Sequence, residues 1–187
     1  GVHGPPQRLG GVGPLLLGEV AAGCPAGEVD PVGELGVPAV DLTVLSGDGR
    51  RTVPVTCTDD PRTLGPQDYV IITLKAHSTL PVVDHLRPLL GKDTALVTAQ
   101  NGILWWYFHA FPGPLRDRHL EAADPGGRIW QVLGPERAIG CVVYPSCEIA
   151  EPGVVRHIEG TRFMVGELDG SKSERVTALS EVLTAAG

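Results

Sequence analysis

Two apolar runs, Tyr69-Val-Ile-Ile-Thr-Leu74 and Thr94-Ala-Leu-Val-Thr-Ala99, lie one helix-length apart, and each leads out into polar residues. They are rich in β-branched residues and lack the alternation of a half-solvated strand, so they read as consecutive strands of a parallel sheet. The connection between them carries Val82, Val83, Leu86, Leu89 and Leu90 on one helical face, which predicts a helix from about Ser78 to Leu90 with Gly91 as its cap. In open α/β sheets ligands bind beyond the carboxyl ends of the strands. Lys75 and Asn101 fall at those ends.

The flanking segments extend the pattern. Leu42-Thr-Val-Leu45 and Arg51-Thr-Val-Pro-Val55 enclose Gly47-Asp48-Gly49 and predict a hairpin in which Asp-Gly supplies the φ > 0 turn. Asp59-Asp60-Pro61 reads as a turn rather than a catalytic carboxylate pair. A short helical piece at 127–133 and a buried strand from Ile139 to Tyr144 come next. Val154–Ile158 and Arg162–Gly166 predict a second hairpin around Glu159-Gly160. Ser171-x-x-Glu174 is a capping box opening a helix with Val176, Leu179, Val182 and Leu183.

Five of the nine aromatic residues, Trp105, Trp106, Tyr107, Phe108 and Phe111, crowd one segment, which predicts core or subunit contact. His77 is expected as a polar residue at a helix start and His157 as a structural histidine.

The first 40 residues have a different texture. They hold 10 of the 25 glycines and 6 of the 17 prolines, with no lysine and no aromatic residue. Glycine costs backbone entropy and proline removes donors, so this stretch is expected to be mostly irregular, with an ordinary α/β domain over 41–187. A net charge of −7, with scattered Lys and Arg, argues against a nucleic-acid or anionic-membrane surface and for a small-molecule partner. No run reaches the roughly 20 apolar residues of a membrane helix, and Leu15-Leu16-Leu17 lacks a charged leader, which makes the cytoplasm the expected address. Cys24, Cys57, Cys141 and Cys147 show no CxxC spacing and are expected to be reduced; no metal-ligand spacing is present.

Three pieces together, Asp68-x-Val-Ile-Ile-Thr-Leu-Lys-Ala76, Gln100-Asn-Gly-Ile103, and Gly140-Cys-Val-Val-Tyr-Pro145 running through Glu151-Pro-Gly-Val-Val-Arg-His157 to Val165-Gly-Glu167, resemble the ketopantoate reductase family of NADPH-dependent 2-dehydropantoate 2-reductases. The resemblance covers about residues 42–187. It implies a partial Rossmann-like sheet, mostly parallel with β-hairpin elements, NADPH as cofactor and a 2-keto acid as substrate; a homodimer is a possible assembly, and the sequence does not fix the oligomeric state.

By the resemblance, Lys75 approaches the NADPH and Asn101 contacts both cofactor and substrate. Ser146 and Cys147 become neighbours of the cofactor's adenine or ribose side. A lysine offers a flexible cation to a phosphate or carboxylate, and an asparagine amide offers a donor and an acceptor.

The family opens with a strand and a Gly-x-Gly-x-x-Gly turn, whose glycines let the backbone approach a pyrophosphate. Gly11 and Gly13 are the candidates for that contact. The third position is Leu16 and Pro14 intrudes, so the first βα unit reads as damaged, as a misread coding frame before Leu42 would produce. The family's proton-donor lysine lies in a helical C-terminal domain expected beyond residue 187, so no catalytic residue is assigned within the chain. The alternative expectation is a truncated, non-catalytic domain that serves as a binding module.

Overall fold

The computed structural model describes residues 15–17 and 39–186. Among the described residues nine strands form two sheets, accompanied by three α-helices. The first sheet contains β1 (Leu15–Leu17), β4 (Gln67–Ile72), β5 (Leu90–Ala99), β6 (Ala138–Val143) and β9 (Phe163–Glu167), in the spatial order β1-β4-β5-β6-β9. Its first three pairings are parallel, and β9 closes the edge antiparallel to β6. The second sheet is β3-β2-β8-β7, from β2 (Ala39–Ser46), β3 (Gly49–Thr56), β7 (Ser146–Glu151) and β8 (Val154–Glu159).

The two strands that open the argument are buried on both faces, as their composition requires. Val70, Ile72 and Leu96 point to one side, where Leu86, Leu89, Trp105, Ile129 and Leu133 pack on them. Ile71, Ala95 and Val97 point to the other and meet Ile139, Cys141 and Leu179. Leu179 belongs to α3 (Glu174–Ala186), and Ile129 and Leu133 to α2 (Arg128–Leu133). Each fully buried aliphatic side chain contributes about 1.5–3 kcal/mol of transfer free energy, so the sheet centre dominates the stability. Among the described residues no helix is long and apolar enough to cross a membrane.

The crossover between β4 and β5 departs from the expected single helix. It is α1 (Ala76–Val82) followed by a 3-10 helix, Val83–Leu89. Pro81 and Pro88 lie inside these segments, and a proline removes a donor and clashes with the preceding turn, so a continuous α-helix is broken. Gly91 is not a helix cap. It lies inside β5, where its N–H donates to Thr94 Oγ1 at 2.7 Å.

The first hairpin forms as read, with Ser46 paired to Gly49. The positive φ sits at Gly47 (+55°) rather than at an Asp-Gly step. The second hairpin is displaced. Strand β8 pairs with β7, across a Pro152-Gly153 turn with Gly153 at φ +76°, and with β2; β9 joins the other sheet. Gly160, at φ +78°, turns the chain from one sheet to the other with the Tyr144 carbonyl so close that a Cβ would stand 2.7 Å from it.

The cap of α3 is Ser173, whose Oγ accepts the Val176 N–H at 3.1 Å, and not Ser171. Cys57 is disulfide-bonded, which corrects the expectation of reduced thiols there; Cys141 and Cys147 are free. Sequence spacing says nothing about which distant segments a fold brings within bonding distance.

Candidate functional site

The parallel register decides which residues meet at the carboxyl edge. Ile72 of β4 is level with Thr98 of β5, and Thr98 is level with Gly140 of β6. Three residues beyond each of these stand Lys75, Asn101 and Val143. The two candidates named from sequence therefore follow the carboxyl ends of neighbouring parallel strands.

Lys75 is the N-cap position of α1, in an extended conformation (φ −61°, ψ 145°). Its side chain is exposed and makes no hydrogen bond or ion pair among the described residues. The segment is held from the next strand. Gln100 Nε2 donates to the Leu74 carbonyl at 2.5 Å and to Thr79 Oγ1 at 3.1 Å.

Asn101 works in the opposite direction, donating from Nδ2 to the Val143 carbonyl and accepting the Val143 N–H, each at 3.0 Å. Two adjacent residues just past β5 thus fasten the segment that follows β4 on one side and the end of β6 on the other. Asn101 retains a second amide N–H and a second lone pair facing solvent chemistry. Gln100 was not singled out from sequence. Its place at the head of the Gln100-Asn-Gly-Ile103 piece, one residue past the last strand residue Ala99, was the available signal.

Gly11 and Gly13 lie outside the described residues. The strand described nearest them, β1, follows them in sequence, whereas a phosphate-binding turn needs its glycines after the strand. Ser146 and Cys147 are exposed on β7 of the second sheet. His157 is structural, its Nδ1 2.9 Å from Ser46 Oγ and its Nε2 against the Gly160 carbonyl. His77 is exposed in the first turn of α1. Asp60 caps a 3-10 turn and chelates Arg62 with both oxygens, which holds its carboxyl below the usual range.

The aromatic segment divides. Trp105 is buried in the core, and Trp106 donates from Nε1 to Thr98 Oγ1 at 3.1 Å. Tyr107 and Phe111 are exposed and stack on each other. They line a shallow cleft with His109, Glu136, Glu167 and Arg175, by the amino end of β6, away from Lys75 and Asn101.

This fold and edge define a Rossmann-like α/β domain with its candidate site at the carboxyl ends of β4, β5 and β6. Residues 9–170 match the family described as Ketopantoate reductase PanE/ApbA, and the chain belongs to that family. It is 52% identical over 144 residues to a 2-dehydropantoate 2-reductase of Mesorhizobium japonicum, an alignment that takes in 76% of this chain and 44% of that protein.

Among solved structures, a Ralstonia solanacearum protein assigned to the ketopantoate reductases is similar at 38% identity with a TM-score of 0.74, covering 78% of this chain and 45% of that one. A 2-dehydropantoate 2-reductase of Geobacter metallireducens is similar at 28% identity and a TM-score of 0.59, covering 78% and 42%. The chain spans less than half the length of each of these relatives.

Proposed function

We propose that residues 41–187 are the nucleotide-binding portion of an NADPH-dependent reductase of 2-dehydropantoate, or of a related 2-keto acid, yielding (R)-pantoate or its analogue. The observation that carries this reading is that Lys75 and Asn101 each follow the carboxyl end of one of two paired parallel strands, β4 and β5, within the family match. The donor set fits such a cofactor, because an unpaired exposed cation suits a phosphate and a half-engaged amide suits a ribose or carboxamide.

When bound, NADPH supplies the hydride that reduces a C2 ketone. Lys75 holds a cofactor phosphate or sets the potential of the cleft. Asn101 orients nicotinamide and substrate with the N–H and lone pair that Val143 leaves unused. No residue among those described is assigned the proton transfer to the new hydroxyl. A cytoplasmic address accompanies this reading.

Fluorescence titration of the chain with NADPH tests it. Lys75→Ala is expected to weaken binding about tenfold, the worth of one charge-assisted contact. Absence of NADPH affinity, or an unchanged affinity in the variant, would overturn it.

A second reading, a non-catalytic module that pairs with another copy of the chain, has one observation behind it. Val142 and Met164 lie opposite each other on β6 and β9 and are 49% and 52% exposed, with exposed Tyr144 just past the end of β6. Contiguous apolar surface of this kind marks association sites. A dimer by light scattering, with no affinity for NADPH, would favour this reading over the first.

A further inference from the structure

We propose that Gln100 is a positioning residue, holding the turn that carries Lys75 through the Leu74 carbonyl before it and the Thr79 hydroxyl after it; this rests on the reading of Lys75 as a cofactor contact. Gln100 is 7% exposed at the end of β5. Its single Nε2 group reaches the Leu74 carbonyl, immediately before Lys75, and the buried Thr79 hydroxyl, four residues after it. One amide thereby spans the whole turn that carries the lysine.

Within the turn itself the Ser78 N–H donates to the Lys75 carbonyl at 2.8 Å. The helix that Lys75 opens is seven residues long, has no side-chain cap and contains Pro81. A helix so short does not hold its own first turn. The Gln100 Oε1 atom is buried without a partner. An apolar residue would avoid that desolvation cost, so the two donated bonds are what the amide contributes. Rotating the amide would set oxygen against the Leu74 carbonyl, which fixes the donor on the Lys75 side.

The test is a double-mutant cycle on NADPH affinity with Gln100→Leu, Lys75→Ala and the combined variant, alongside amide hydrogen exchange of residues 73–78 in the ligand-free chain. Q100L is expected to weaken NADPH about fivefold in the native background and to have no further effect once Lys75 is alanine, as contacting residues couple. A role confined to folding would add the same loss in both backgrounds, and that result would overturn the proposal.

Exchange in 73–78 is expected to quicken at least tenfold in Q100L while β5 and β6 stay protected; unchanged exchange would overturn the proposal too. If the unmodified chain has no NADPH affinity, the cofactor reading fails and the exchange result alone decides the role of Gln100. Should Q100L not fold, Thr79→Val removes one of the two bonds and the same readouts apply.

Discussion

The side chain of Asn101 takes the place of a β-strand partner to Val143, giving an N–H to its carbonyl and receiving its N–H, both at 3.0 Å. The sheet's hydrogen bonding is thereby carried past the last paired residues, Ala99 and Cys141. An asparagine does this because its amide has the same donor and acceptor as a peptide group.

Removing that amide loosens the edge. Asn101→Ala is expected to lower unfolding free energy by about 1–2 kcal/mol, two bonds of ordinary net worth in a partly solvated setting. Asn101→Asp keeps the acceptor for the Val143 N–H but sets a negative charge at the edge, so NADPH affinity should fall further than in the alanine variant. Urea unfolding and NADPH titration of the two variants separate the effects.

The ion pair that fastens α3 to β9 predicts a pH dependence. Arg175 grips Glu167 with Nε at 2.7 Å and Nη2 at 2.6 Å, and the carboxylate is 10% exposed. The guanidinium first, and the Ser173 hydroxyl second, hold the Glu167 carboxyl below the usual range against the opposing effect of burial. A depressed folded-state pKa gives stability that is present above the unfolded value, about 4.3, and lost as pH falls through the folded one. Thermal stability is expected to drop below about pH 4.3, and Glu167→Gln should flatten that part of the profile. An unchanged profile in the variant would contradict this assignment.

A buried carboxylate starts α2. Asp124, 1% exposed, accepts the N–H of Ile129 at 2.8 Å and of Trp130 at 2.9 Å, serving two of the donors a helix start leaves unpaired. Asp124→Ala is expected to cost about 1.5–3 kcal/mol, the worth of bonds to a charged group, and Asp124→Asn about half of that. Urea midpoints with unchanged slopes would show it.

The thiols separate by environment. Burial pushes the Cys141 thiol up to about 11, whereas Cys147 is exposed on β7. The thiolate is the reactive form, so brief alkylation of the native chain followed by peptide mass spectrometry should label Cys147 and spare Cys141. Cys57 should be protected until a reductant is added. Prompt labelling of Cys57 without reductant in a cell extract would show that the bond does not persist in a reducing compartment.

Sequence made the sheet's centre legible, because strands buried on both faces carry their own composition: β4, β5 and β6 fall close to where the apolar runs are. The candidates at their ends follow from the same topology. The partnering of β8 was not legible, since its parallel contact sets Thr43 against Val154, across most of the chain, and no local pattern encodes it. β7 was missed because Ser-Cys-Glu-Ile-Ala-Glu is exposed throughout and has no apolar face to display. Asp124 was missed for a related reason: it acts on backbone groups, and a residue's effect on a neighbouring main chain leaves no periodicity in its own sequence; Gln100 was quoted as the head of a motif but given no role.

The central claim is that the carboxyl edge of β4, β5 and β6 receives the cofactor. Amide chemical-shift mapping of the chain with NADPH tests it most directly. The account predicts shifts concentrated at residues 73–76, 100–103 and 143–145, with the cleft lined by Tyr107 and Arg175 unaffected. Shifts confined to that cleft, or none at saturating NADPH, would contradict it.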